Sequence, residues 1–332
     1  MPESSVTLAW PGKARLFVDD EATPRASPPE VAHTRCGRGL YLFGDNARAL
    51  SELARTHAGR IALAYLDPPF LTNRVHDAVT RSRGAGGKIV RASRAAFDDR
   101  WEDRGAFLAS LGRRIALARE LLAPHGSLVV HVDPKTSHYV KVLMDEIFGE
   151  DCFASEIIWR YRRWPAKTAN YQRVHDVLLR YRKDPAARPR WNQAYEPLAA
   201  STLATWGTKK QNAVFDGGRR ARSSSLATES LGVPMGDVWE IGVLAPVSRE
   251  RTGYPSQKPE ALLSRLIETL SDPGDLVLDP YAGSGTTLAA AARLGRGFVG
   301  IDQSEVARDT TRARLAAMGL ALEAREAPAK SA

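Results

Sequence analysis

Asp67-Pro68-Pro69-Phe70 follows a continuous apolar run, Ile61-Ala62-Leu63-Ala64-Tyr65-Leu66. Two consecutive prolines remove two backbone donors and stiffen the turn, which leaves carbonyls directed at whatever binds there. A carboxylate, a rigid carbonyl acceptor and an aromatic ring within four residues suit a planar base that bears an NH2 group. In isolation the same residues also fit a plain strand terminator with a packed Phe.

A second candidate lies 212 residues further on, in Leu278-Asp279-Pro280-Tyr281-Ala282-Gly283-Ser284-Gly285-Thr286-Thr287. Here a strand runs into a glycine turn and then a helix, whose first N–H groups are free to meet a ligand. Gly297-Phe298-Val299-Gly300-Ile301-Asp302 then puts a carboxylate at the next strand end, where nucleotide folds bind ribose hydroxyls. Position 288 is Leu, so the dinucleotide pattern G-x-G-x-x-G is absent. That disfavours a pyrophosphate-containing cofactor; a two-glycine loop before an acidic strand end is what an adenosylmethionine site uses. Tyr254-Pro255-Ser256-Gln257-Lys258-Pro259 leads into the preceding helix and says little alone.

The elements that must position these residues alternate. Strands are expected at Gly39–Phe43, 61–66, 127–132, 157–161, 177–181, 275–278 and 297–301. Helices are expected over 47–56, 104–122, 135–148, 259–270 and 286–294. Such alternation predicts an α/β fold, Rossmann-like, with a mostly parallel central sheet. Thr80 to Ala95 is Gly- and Arg-rich and reads as a mobile loop. The expected organisation is a flexible arm (1–38), a catalytic half (39–183), an insertion (184–236), a cofactor-binding half (237–322) and a flexible tail (323–332).

Composition excludes several classes. There is no run of 18 apolar residues to span a membrane and no secretory signal at the start, so a cytoplasmic protein is expected. Cys36 and Cys152 lie far apart without ligand spacing, so neither a disulfide framework nor a metal site is expected. The net charge is +9, but residues 157–225 hold 15 Lys and Arg against 4 Asp and Glu, leaving −2 elsewhere. That segment also contains four of the seven tryptophans, Trp159, Trp164, Trp191 and Trp206. Basic and aromatic residues together suit nucleic acid.

Taken in order, these motifs resemble the DNA amino-methyltransferases, specifically the permuted β-class group that includes Mod-like adenine methylases. The resemblance runs from about Tyr41 to Asp302 and extends to Gly44-Asp45-Asn46, Ser127 to Asp133, His138-Tyr139-Val140-Lys141, Phe153 to Arg160 and His175-Asp176. It implies methyl transfer from S-adenosylmethionine to adenine N6 of a flipped-out base in double-stranded DNA, with cytosine N4 or an inactive DNA-binding homologue as alternatives. Asp67, Pro68, Pro69 and Phe70 match the catalytic motif. Lys258, Asp279, Tyr281, Gly283, Ser284, Gly285, Thr286, Thr287 and Asp302 are the implied cofactor residues, with Asp45 at the adenine end. Gln257-Lys258-Pro259 matches the segment that closes over the cofactor. The basic insertion falls where the family places target recognition, which makes Arg162, Arg163, Lys167, Lys209, Lys210, Arg219 and Arg220 expected DNA contacts. Arg81, Arg83 and Lys88 join them from the loop after the catalytic motif. The resemblance also leaves room for a homodimer and a cognate restriction endonuclease; no stretch of this sequence marks either.

Overall fold

Every residue of the run Ile61–Leu66 is buried, as a strand covered by helices on both faces must be. The computed structural model describes residues 6–10, 13, 30–34, 38–83, 89–165, 167, 169–212, 215–216, 218–220 and 224–324, so Cys36 and Lys88 lie outside the described residues. In chain order the strands are β1 (Glu30–Thr34), β2 (Gly39–Phe43), β3 (Ile61–Leu66), β4 (Val75–Arg83), β5 (Ile89–Asp98), β6 (Leu122–Val132), β7 (Phe153–Arg160) and β8 (His175–Arg182). Then come β9 (Tyr195–Glu196), β10 (Lys209–Asn212), β11 (Phe215–Asp216), β12 (Arg219–Arg220), β13 (Ser224–Glu229) and β14 (Val233–Pro234). The last four are β15 (Val238–Glu240), β16 (Leu276–Asp279), β17 (Gly297–Asp302) and β18 (Leu322–Ala324). The helices are α1 (Asn46–His57), α2 (Arg104–Leu121), α3 (Ser137–Phe148), α4 (Ala200–Trp206), α5 (Glu260–Leu270), α6 (Thr286–Arg293) and α7 (Glu305–Ala316).

Ten strands form one sheet in the order β15-β7-β8-β6-β3-β16-β17-β2-β1-β18. The run from β6 to β2 is parallel throughout, so the expected α/β fold holds. β8 is antiparallel to both of its neighbours. The two strands of the cofactor half, β16 and β17, sit between β3 and β2.

Side chains alternate across the sheet. Leu66, Leu128, Val130, Leu278, Val299 and Ile301 share a core with Leu50, Leu111, Ile115 and Leu143 of α1, α2 and α3. Their neighbours in sequence, Tyr65, Val129, His131 and Gly300, point to the other face. There α5 packs on β3, and a Cβ on Gly300 would strike Leu288 of α6. Caps fix the starts of three helices: Asp45, Asp103 and Ser304 accept from Arg48, Ala106 and Ala307 N–H.

The structure corrects three expectations. Within the predicted loop, residues 80–83 and 89–95 are paired strand residues of β4 and β5 rather than irregular chain. Among the described residues, β1 lies inside the predicted arm and pairs with β2 and, at its other edge, with β18, whose Glu323 and Ala324 fall in the predicted tail. And β6 starts at Leu122, before Pro124-His125-Gly126, because Ile61 already pairs with Leu122.

Residues 192–237 form a separate unit from the rest of the chain. Within it β9 pairs with β14, β10 with β13 and β11 with β12, all antiparallel, and α4 buries none of its residues. Residues 184–191, assigned from the sequence to the insertion, stay with the main unit. Arg190 ties them there through Asp272 at 2.7 Å and the His125 carbonyl at 3.1 Å. Among the described residues no helix is long and apolar enough to cross a membrane.

Candidate active site

The carboxyl ends of β3, β16 and β17 converge on a cavity of about 500 Å3, at the edge where open α/β sheets bind ligands. Asp67, Pro68, Pro69 and Phe70 line it from β3, Asp279 to Ser284 from β16, and Asp302 from β17. Lys258 and Tyr254 enter from the segment before α5, and His76 and Phe97 from the β4–β5 hairpin.

Asp67 uses one carboxylate oxygen and leaves the other bare. Oδ2 accepts from Lys258 Nζ at 2.5 Å, while Oδ1 is buried without a hydrogen-bond partner among the described residues. A buried acceptor in that state is costly unless a donor arrives. The Lys258 ammonium also lies 5.0 Å above the Phe70 ring. Behind Phe70 stands His131, with ring centroids 5.5 Å apart.

The turn after Phe70 is bent by force. Leu71 and Asn73 both have φ of 57°, a left-handed conformation that costs an ordinary side chain. Asp99 holds it there. This buried carboxylate accepts from the Phe70, Leu71 and Thr72 amides, the Thr72 hydroxyl and the Trp101 indole, at 2.6 to 3.2 Å.

The glycine loop is equally constrained. Gly283 and Gly285 have φ of 50° and 71°, and a Cβ on Gly285 would come within 2.7 Å of Thr311 Oγ1. Asp302 bonds the Gly283 amide at 2.8 Å and the Ser304 amide at 2.8 Å. Burial pushes Asp302 up to about 6 despite those bonds. It pushes Asp279 up to about 7, with Asp67 and Asp302 adding to the rise and bonds from Thr287 and Tyr281 opposing it. Two buried carboxylates beside a third make a cavity that favours a cation.

A DNA methylase family model matches residues 61–312, a span holding all the motif residues just described. The chain belongs to this DNA methylase family. The methylase is 27% identical to type II methyltransferase M.EcaI of Enterobacter cloacae, over 83% of this chain and 69% of that protein. It is also 27% identical to DNA adenine methyltransferase YhdJ of Escherichia coli (strain K12), over 78% of this chain and 80% of that one. Its fold is that of PvuII DNA methyltransferase, described as cytosine-N4-specific, with a TM-score of 0.55 at 15% identity over 83% and 86% of the two chains.

The methylase brings most of the expected cofactor residues to one cavity: Lys258, Asp279, Tyr281, Gly283, Ser284, Thr286, Thr287 and Asp302 all line it. Gly285 serves it from behind as the left-handed residue before α6. Asp45 does not line it. Its Oδ1 caps α1 and its Oδ2 is held by Arg114 at 3.1 Å, so both oxygens are engaged, and Asn46 faces the cavity instead. Lys258, expected as a cofactor residue, is paired with Asp67.

The expected DNA contacts belong to both units. Arg162, Arg163 and Lys167 are exposed between β7 and β8, a stretch that begins at the same sheet edge as Asp67. Lys209, Lys210 and Arg219 are exposed on the smaller unit, where Lys209 pairs with Glu229. Arg81, Arg83 and Arg220 lie in strands, and their side chains fall outside the described residues, as does Lys88 altogether.

Five residues at the methylase's site were given no role there by the sequence. Asp99 follows the turn it holds by 28 residues or so with no motif around it. Tyr254 packs on Gly283, with a ring carbon 3.1 Å from where a Cβ would be. Arg114 joins Asp45 to Asn46. His131 and Asp176 sit in segments noted only for their resemblance.

Proposed function

We propose that this methylase transfers the methyl group of S-adenosylmethionine to adenine N6 in double-stranded DNA. The bare, buried Oδ1 of Asp67 carries the reading: it is an acceptor waiting for an N–H, in a cavity otherwise suited to a cation.

Bound there, the cofactor supplies an electrophilic methyl on a positively charged sulfur. Asp279 and Asp302 would hold it, because a cationic ligand offsets the cost of two buried carboxylates. Gly283 and Ser284 would bound it from the loop, and Thr287 steadies Asp279.

The amino nitrogen of adenine is a poor nucleophile because its lone pair is spread into the ring. Asp67 Oδ1 accepts one amino hydrogen and the Pro68 carbonyl the other, which draws the nitrogen toward tetrahedral geometry. Phe70 stacks on the base, and positioning supplies much of the rate. A stacked base cannot reach Asp67, so the nucleotide must leave the duplex. Exposed Arg162, Arg163 and Lys167 suit the phosphates beside it.

Two points support adenine over cytosine N4: enzymes of the N4 group more often have Ser where this chain has Asp67, and one relative is a DNA adenine methyltransferase. The test is nucleoside mass spectrometry of methylation-free DNA after incubation with the protein and S-adenosylmethionine. N6-methyladenine is expected. N4-methylcytosine would reassign the base, and no modified nucleoside would overturn the reading.

A further inference from the structure

His131 is wholly buried near the carboxyl end of β6, and the methyl transfer proposed at Asp67 leaves it without a task. Its Nε2 lies 3.4 Å from Asp176 Oδ2 in β8, and Asp176 Oδ1 accepts a 3.0 Å bond from the Tyr161 hydroxyl. Its Nδ1 lies 2.7 Å from the Tyr65 hydroxyl and 3.8 Å from Asp67 Oδ1. Trp159 packs edge-on against the ring at 5.4 Å, so the imidazole has little freedom to turn. A carboxylate only accepts, which puts the ring proton on Nε2 and the lone pair on Nδ1. Tyr65 donates to that lone pair, and a hydroxyl can rotate away when another donor arrives.

Methylation leaves the amino nitrogen with one proton too many. Asp67 Oδ1 is the acceptor at hand, and His131 Nδ1, 3.8 Å from it, is a base to which the proton can pass.

Resting on the methyl-transfer reading above, we propose that this proton passes from the amino group to Asp67 Oδ1 and on to His131 Nδ1, with Asp176 holding the imidazolium. The N–H electron pair returns to nitrogen as its lone pair while an O–H bond forms. That O–H bond then breaks as the Nδ1–H bond forms, and no further reactant is consumed. His131 acts through Asp67 and is a positioning residue that also stores a proton. Five groups face it: Tyr65 and Asp67 from β3 and its end, Asp176 from β8, Tyr161 through Asp176, and Lys258 from before α5. Burial and Lys258 hold the imidazole below the ordinary histidine range, while Asp176 and Asp67 pull the other way, so it waits neutral at physiological pH.

The test is single-turnover methylation of methylation-free genomic DNA with labelled S-adenosylmethionine, from about pH 5.5 to about pH 8.5. The unsubstituted protein, His131→Gln and Asp176→Asn are compared, each checked by thermal unfolding. The wild-type rate should fall on the acid side as His131 titrates. In His131→Gln the rate at neutral pH should drop roughly ten- to hundredfold and that acid limb should vanish. In Asp176→Asn the limb should move to lower pH. A His131→Gln protein with the wild-type rate, or with a lower rate but an unchanged limb, overturns the proposal; if that variant does not fold, the Asp176→Asn profile decides. Imidazole 15N NMR of the protein alone gives a readout free of activity. It should show the proton on Nε2 and a titration that moves to higher pH in Lys258→Met; a proton on Nδ1 overturns the proposal. A wild-type protein that incorporates no methyl strikes the DNA-methylation reading instead, and the NMR result separates the two failures.

Discussion

Lys258 Nζ meets Asp67 Oδ2 at 2.5 Å across 191 residues of sequence, and this pairing leaves Oδ1 as the oxygen without a partner among the described residues. The segment that the sequence links to cofactor closure is thereby tied to the Asp67–Phe70 turn proposed to be catalytic. Lys258→Met removes the tie without removing Asp67. The methyl-transfer rate should fall at least tenfold, with a much smaller change in S-adenosylmethionine affinity measured by calorimetry. An affinity loss that matches the rate loss would return Lys258 to the cofactor.

Asp67→Ala should abolish transfer while calorimetry still detects the cofactor, because Asp279 and Asp302 lie on other strands. Lys258 is then left buried without its partner, so the variant should also melt below the parent. Full residual activity would remove Asp67 from the mechanism.

Asp99→Ala deletes the acceptor that holds Leu71 in its left-handed conformation. Several bonds to one buried carboxylate are lost together, and a stability loss of about 2–4 kcal/mol is expected in urea unfolding. Transfer should slow as well, since Phe70 loses its anchor. A loss confined to stability would mean that Phe70 is placed by packing alone.

Gly285→Ala meets Thr311 Oγ1 and keeps a left-handed backbone. The expected cost is about 1–2 kcal/mol for the backbone plus the clash. Adding Thr311→Ala should recover the second part only, visible as a partial return of the melting temperature. Full recovery would show that the backbone conformation there is not strained.

Asp279 and Asp302 give a pH signature. Their folded values, about 7 and about 6, lie above those of an unfolded chain, so the folded protein binds protons more tightly. Stability is therefore greater when they are protonated and falls as pH rises through that range. Without cofactor the melting temperature should decline from about pH 4 to about pH 7. Saturating S-adenosylmethionine should flatten the decline, and Asp279→Asn should raise the melting temperature at the alkaline end while weakening cofactor binding. A flat profile without cofactor would contradict the burial argument.

The parallel sheet was legible because its strands are short apolar runs closed by Gly, Pro or Asp, and β3 and β17 need nothing else to be found. The β4–β5 hairpin was not legible. Its inward residues include Ala78 and Ala96, too small to stand out among Arg, Ser and Gly. Asp45 was ambiguous in kind, since an acidic residue after a strand can serve a ligand or cap the helix it begins, and here it caps. His131 and Asp176 could be named from the sequence but not joined. Their meeting depends on the antiparallel register that sets His131 opposite Leu178, a long-range pairing that local composition does not encode.

β16 and β17 fill the centre of the sheet, yet of its ten strands only β18, at one edge, is made after them. While the chain is being synthesised, β3 and β2 each present an open inner edge until the residues up to Asp302 have emerged. Every pairing that closes the gap is long-range and therefore slow, so the nascent chain depends on protection from edge-to-edge aggregation. The same order separates Asp67 in time from the loop proposed to hold the methyl donor. On the proposed assignment, a chain cut short before Leu276 has the acceptor for an amino group but lacks the loop that would hold the methyl donor.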